Sequence, residues 1–128
     1  MDNSYEYRGT CWEYLKDPEK RISFIRDTNY VRPEDMHLYE GYFTAAKLAT
    51  RVNFAPARVL FAYLRGRYVG TPMEICEPNH AGLLYPYYID NGRFPTDFAE
   101  RVGSCNKQCR ACGYCDEVLQ KTIIKLEE

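Results

Sequence analysis

The run Cys105-Asn-Lys-Gln-Cys109-Arg-Ala-Cys112-Gly-Tyr-Cys115 constrains this chain more than any other segment. It places four thiols within eleven residues, spaced C-x-x-x-C-x-x-C-x-x-C. Thiols that dense point to a shared ligand. A 4Fe–4S cube takes four cysteine thiolates, and one short loop can supply them at low ordering cost. The spacing therefore predicts a metal-binding loop within residues 104–116, with Cys105, Cys109, Cys112 and Cys115 as the ligands of a 4Fe–4S cluster. Zinc is the main competitor. Structural zinc favours two separated cysteine pairs, and no second pair stands far from this knot. Disulfides fit less well, because Cys109, Cys112 and Cys115 are too close in sequence to form several unstrained bridges.

The flanking residues suit an anionic core. Gly113 can take positive φ and turn backbone amides toward sulfur. Ser104, Asn106 and Gln108 are candidate hydrogen-bond donors, and Lys107, Arg110 and Lys121 bring positive charge. Asp116 and Glu117 open a helix, where first-turn carboxylates suit the dipole. Cys11 and Cys76 read as buried free cysteines. Either could replace Cys105 if the C-x-x-C-x-x-C core supplies only three ligands, and Cys76 is the nearer. Cys105, Cys109 and Cys112 also match the radical S-adenosylmethionine spacing. Ala111 stands where that signature has an aromatic residue, and only thirteen residues follow Cys115, so a fully protein-ligated cluster is expected.

The 128 residues suffice for a single domain, 1–128, with a modest core. Net charge is −1 and the pI about 6.1, so no global basic field invites nucleic acid. No apolar run approaches the roughly eighteen residues of a membrane span. The opening residues Met1 to Tyr5 are polar and unlike a leader peptide, and the expected setting is a cytoplasmic one with reduced thiols. Twelve tyrosines, with apolar rings and polar tips, favour a chain that docks on something.

Along the chain, a helical turn is expected from Cys11 to Lys16, and a short strand where Ile22-Ser-Phe-Ile25 alternates. A helix starts at Pro33 and stops near Gly41. Tyr42 to Arg51 is ambiguous: its alanines favour a helix, and a buried strand around Lys47 to Thr50 is the other reading. The clearest helix spans Pro56–Tyr68, with Val59, Leu60, Tyr63 and Leu64 at helical spacing. Asn91-Gly92 marks a turn, Pro95 begins a short helix to about Val102, and Val118, Leu119, Ile123 and Leu126 form the apolar stripe of a closing helix. The fold class expected is α+β: a mostly helical small domain with two or three short strands and a C-terminal cysteine-ligated cluster. Its core would join the Pro56 helix to the C-terminal one. His37 reads as structural and His80 as a loop residue. Lys47, Arg51, Arg58, Arg65 and Arg67 read as a solvated basic face.

Three patches carry a resemblance. They are Tyr30-Val-Arg-Pro-Glu-Asp-Met-His-Leu-Tyr-Glu40, Lys47-Leu-Ala-Thr-Arg51 and Ala62-Tyr-Leu-Arg-Gly-Arg-Tyr68. Over roughly residues 20–70 the chain resembles the last barrel units of the collagenase-like peptidase family. Its better-understood members are oxygen-independent hydroxylases built as iron–sulfur TIM barrels. Such a barrel needs about 200 residues, so the resemblance implies the C-terminal segment of a larger iron–sulfur barrel protein. An auxiliary-cluster tail of a radical S-adenosylmethionine enzyme is the other relative it suggests. No catalytic residue is carried over. The expected function is a small 4Fe–4S protein acting as accessory or electron-relay subunit of a larger anaerobic redox enzyme or barrel subunit. The alternative is a zinc-stapled interaction module without a redox role.

Overall fold

The computed structural model describes residues 10–77 and 84–127, with side chains from Glu13 onward. The expectations for Cys11 as a buried thiol and for His80 lie outside the described side chains.

Helix α1 (Thr10–Lys16) is followed after a turn by α2 (Ile22–Arg26). Arg21 locks this corner: its side chain donates to the carbonyls of Leu15 at 3.2 Å and Lys16 at 2.9 Å. Carbonyls at the end of a helix lack intrahelical partners, and Arg21 satisfies two of them. The strand expected at Ile22 to Ile25 is therefore a helix. Ile22 and Ile25 are one turn apart and both are buried with Phe24, a spacing that serves a helix as well as a strand.

Arg32 precedes a 3-10 helix, Pro33–Tyr39, with proline at its start and Glu34 and Asp35 in its first turn. Residues 44–50 have no regular structure. The strand expected at Lys47 to Thr50 is absent there, and only Leu48 of this stretch packs on the core. Helix α3 (Pro56–Arg65) is the longest. Gly66 ends it earlier than expected. At φ 63° it adopts the left-handed conformation that glycine reaches without a Cβ penalty, and its N–H bonds back to the last turn.

Two short strands form the sheet. β1 (Tyr87–Ile89) pairs antiparallel with β2 (Ile123–Lys125), Tyr88 opposite Ile124. Between them lie α4 (Phe98–Gly103), α5 (Cys109–Cys112) and α6 (Tyr114–Thr122). The expected closing helix thus stops at Thr122. The β-branched run Thr122-Ile-Ile124 favours an extended backbone, and Tyr87 to Ile89 supplies the hydrogen-bonding partner.

The core has two parts. The larger joins Ile22, Phe24 and Ile25 of α2 to Val118 of α6, with Met73, Leu84, Ile89, Phe94 and Phe98. The smaller joins Val59 and Ala62 of α3 to Ile75. Tyr30 packs against both. The core expected between α3 and the C-terminal helix is therefore split: α6 rests on α2, and α3 on the 3-10 helix.

This arrangement corrects the expected relationship to a barrel. Among the described residues the sheet is open and two-stranded, so they form a small, mostly helical α+β domain and not the closing units of a TIM barrel or a radical S-adenosylmethionine fold. No described helix is long and apolar enough to cross a membrane.

Candidate functional site

The cysteine-rich loop leaves α4 at Ser104, whose hydroxyl donates to the Glu100 carbonyl at 2.9 Å. That bond ties the Ser104 hydroxyl to the last turn of α4. Asn106 Oδ1 accepts from the Gln108 amide at 3.1 Å, shaping the turn into α5. Gly113, at φ 66°, links α5 to α6 through a left-handed residue, as expected. Asp116 and Glu117 occupy the first turn of α6.

Cys105, Cys109, Cys112 and Cys115 all line one open cavity of about 570 Å³. Cys105, Cys109 and Cys112 are exposed and Cys115 is half-buried, and all four are free thiols. Burial raises the Cys115 thiol, and the neighbouring Cys109, Cys105 and Cys112 add to the effect. Arg26, Arg101, Lys107 and Arg110 stand in the same wall, against the single carboxylate of Asp116. Lys121 does not line it. Arg26 is held by two bonds to Asp27, at 2.9 and 3.0 Å. Arg101 stacks on Tyr114, 4.3 Å from the ring centre.

The expected 4Fe–4S cluster is overturned by this geometry. Among the described residues, no group of three or more His, Cys, Asp or Glu side chains comes together to hold a metal ion. All four thiols line one solvent-open cavity, yet they do not form a metal-holding group. The same finding removes the zinc-stapled module, the electron-relay role that depended on a cluster, and the iron–sulfur and metal-binding assignments generally. Cys76, the expected substitute ligand, is elsewhere.

Cys76 lines a second cavity, of about 740 Å³, between the segment around residues 28–49 and the inner face of α3. Tyr30, Met36, Phe43, Leu48, Val59 and Tyr63 make its wall largely apolar. Burial pushes the Cys76 thiol up to about 12. The hydroxyls of Tyr30 and Tyr63 are raised as well, by burial first and then by Cys76. Tyr63 donates to the Val31 carbonyl at 2.6 Å. His37 is on the surface and contacts the Glu34 carbonyl through Nδ1 at 2.9 Å, a structural role.

One feature is hidden in the sequence pattern. Of the apolar stripe expected on α3, only Val59 is fully buried, together with Ala62. Leu60, Phe61 and Leu64 point outward, and Phe54 and Val69 flank them at the two helix ends. The signal lies in Val59-Leu-Phe-Ala-Tyr-Leu64, six consecutive residues apolar all round the helix. Such a helix is normally covered on more than one side. The basic residues Lys47, Arg51, Arg58, Arg65 and Arg67 are exposed, and Arg65 lies over the Phe61 ring.

Comparison with known proteins finds no matching family model and no matching solved structure. The chain is 33% identical over 106 residues to a protein described as an uncharacterized protease of Methanocaldococcus jannaschii. The match takes in 81% of this chain and 31% of that protein, so the chain spans less than a third of its relative's length.

Proposed function

We infer that this chain is a docking domain of a larger catalytic protein, held to it by the outer face of α3. The observation that carries this reading is the uncovered apolar face itself: Phe54 is 83% and Leu64 71% exposed, with Leu60 and Phe61 between them. Contiguous apolar surface of that kind marks interaction sites. The occupant is a protein body of the sort that accompanies the matching segment in the Methanocaldococcus relative, where more than two thirds of the chain lies outside the match. That relative is named a protease, and on this reading the docked body is a peptide hydrolase. The role of the present domain is to bind and stabilise that body. The five described cysteines are free, which suits a reducing, cytoplasmic setting.

A chimera tests the reading. This chain replaces the matching segment of the relative, with and without Leu60→Glu and Leu64→Glu together. The chimera should melt as one unit. The double substitution should lower its midpoint by several degrees and leave the isolated chain unchanged, since burying two leucines contributes about 1.5–3 kcal/mol each. An equal effect in both settings, or none in the chimera, rejects the docking face. Dimerisation of the isolated chain, abolished by the same pair, would assign the face to a second copy instead.

A further inference from the structure

The segment between the 3-10 helix and α3 carries a surface that the outer face of α3 does not explain. Among the described residues, the backbone N–H and C=O groups of residues 45–49 make no hydrogen bond. None of the five is proline, so each keeps its N–H. Leu48 packs on the smaller core, while Lys47 and Ala49 on either side of it are exposed. That alternation is the pattern of a strand with one face inward. The described sheet holds β1 and β2 and does not reach this segment.

All five residues line the cavity of about 740 Å³, whose wall also includes Met36, Val59, Tyr63 and Ile75. Phe43, just before them, lines it too and is 71% exposed. A bare row of backbone donors and acceptors beside an apolar hollow is the arrangement that takes an added strand. Main-chain bonds hold the added strand, and its alternate side chains fill the hollow.

We propose that an extended segment of the larger protein body pairs backbone to backbone with residues 45–49 and seats its apolar side chains in this cavity. The occupant is a peptide chain, because only a backbone offers donors and acceptors at the strand repeat of about 3.3 Å per residue. An apolar small molecule would fill the hollow and leave those groups unmatched. The length suffices, since strands of about five residues are the commonest. The source of the segment rests on the docking reading: more than two thirds of the Methanocaldococcus relative lies outside the match. Residues 50–55 alone separate this edge from the start of α3, so the two surfaces are neighbours along the chain.

Hydrogen exchange is followed in the isolated chain and in the chimera with the relative's body. In the isolated chain the amides of residues 45–49 should exchange as fast as those of an unstructured peptide. In the chimera they should slow by about a hundredfold or more, as paired amides do. One strand edge uses the N–H groups of alternate residues, so Ala45→Pro and Ala46→Pro are made separately. At least one should lower the chimera's melting midpoint by several degrees, and neither should shift the isolated chain. Fast exchange in a chimera that melts as one unit, and that Leu60→Glu with Leu64→Glu weakens, overturns the strand and leaves the docking face standing. Slow exchange in a chimera indifferent to that pair supports the strand and rejects the docking face. Protection already present in the isolated chain overturns the proposal, and a rise of that protection with concentration assigns the edge to a second copy. Where the chimera does not fold, the intact relative supplies the readout. Its match takes in 81% of this chain and so includes the positions of residues 45–49. Slow exchange there supports the pairing, and fast exchange overturns it.

Discussion

The hydroxyl of Tyr30 donates a 2.9 Å hydrogen bond to Oδ1 of Asn91, a residue 61 positions away. Asn91 is wholly buried. Its amide nitrogen donates to Glu34 Oε1 and to the Tyr68 carbonyl, both at 2.9 Å, and its backbone N–H reaches the Gly70 carbonyl. One side chain thus ties the 3-10 helix and the segment after α3 to the turn that follows β1. Tyr30 touches both parts of the core, so this bond is where they are fastened together.

Asn91→Ala should therefore cost about 3 kcal/mol. Each lost bond accounts for about 1 kcal/mol, the Tyr30 hydroxyl loses its acceptor and the Tyr68 carbonyl loses a donor. Tyr30→Phe removes only one bond and should cost about 1 kcal/mol. Urea unfolding of the two variants checks the ratio. Equal losses would mean that the Asn91 amide contributes little.

Arg32 and Asp35 form a buried ion pair, bonded at 2.7 and 3.0 Å, with the Arg32 guanidinium over the Phe94 ring. Removing one partner strands the other charge away from water. Asp35→Ala should destabilise by about 3–5 kcal/mol, and replacing both residues with apolar ones of similar volume should recover much of that. A double-mutant cycle measures the coupling, and a loss below about 1 kcal/mol for Asp35→Ala would show that the pair is solvated.

Some of this fold is legible in the residues and some is not. Pro56 announces α3, Gly113 the left-handed link between α5 and α6, and Asn91-Gly92 a turn, because each rests on backbone chemistry confined to one or two residues. Ile22-Ser-Phe-Ile25 is not legible, since four residues do not separate a period of two from a turn of helix. The β1–β2 pair is invisible for another reason: Tyr87 and Lys125 meet only after three intervening helices have folded. The thiol loop misleads most. Its spacing states which sulfurs can share a cavity, and all four do, but convergence on a single ion depends on side-chain directions that spacing does not encode. The exposed face of α3 was open to detection, because Leu60, Phe61 and Leu64 exceed what one buried face needs.

Alkali should unfold this chain from a predictable pH. Burial raises the Cys76 thiol from its ordinary 9.0 to about 12, so the folded chain keeps a proton that the unfolded chain releases. Stability from this group is complete below pH 9 and falls as pH climbs from about 9 toward 12. Tyr30 and Tyr63, raised from 10.0 by burial, extend the same trend above pH 10. Cys76→Ala should flatten the loss between pH 9 and 10 and leave the steeper tyrosine-driven loss above it. Thermal melts across this range decide it. An unchanged slope in the variant would place the early loss on other thiols, Cys115 among them.

The two faces of α3 should respond oppositely to substitution in the isolated chain. Val59 is 1% exposed and belongs to the smaller core. Truncating it leaves a cavity, and Val59→Ala should cost about 2 kcal/mol, a fall of about 4–8 °C or more in melting temperature. Leu64, on the other side of the same helix, is 71% exposed, and Leu64→Glu should change stability by no more than about 0.5 kcal/mol. It should also raise solubility, since it breaks an apolar patch. The pair of values separates helix formation from docking. If Leu64→Glu were as damaging as Val59→Ala, the outward face would be part of this domain's own core, and the larger protein body would lose its place to bind.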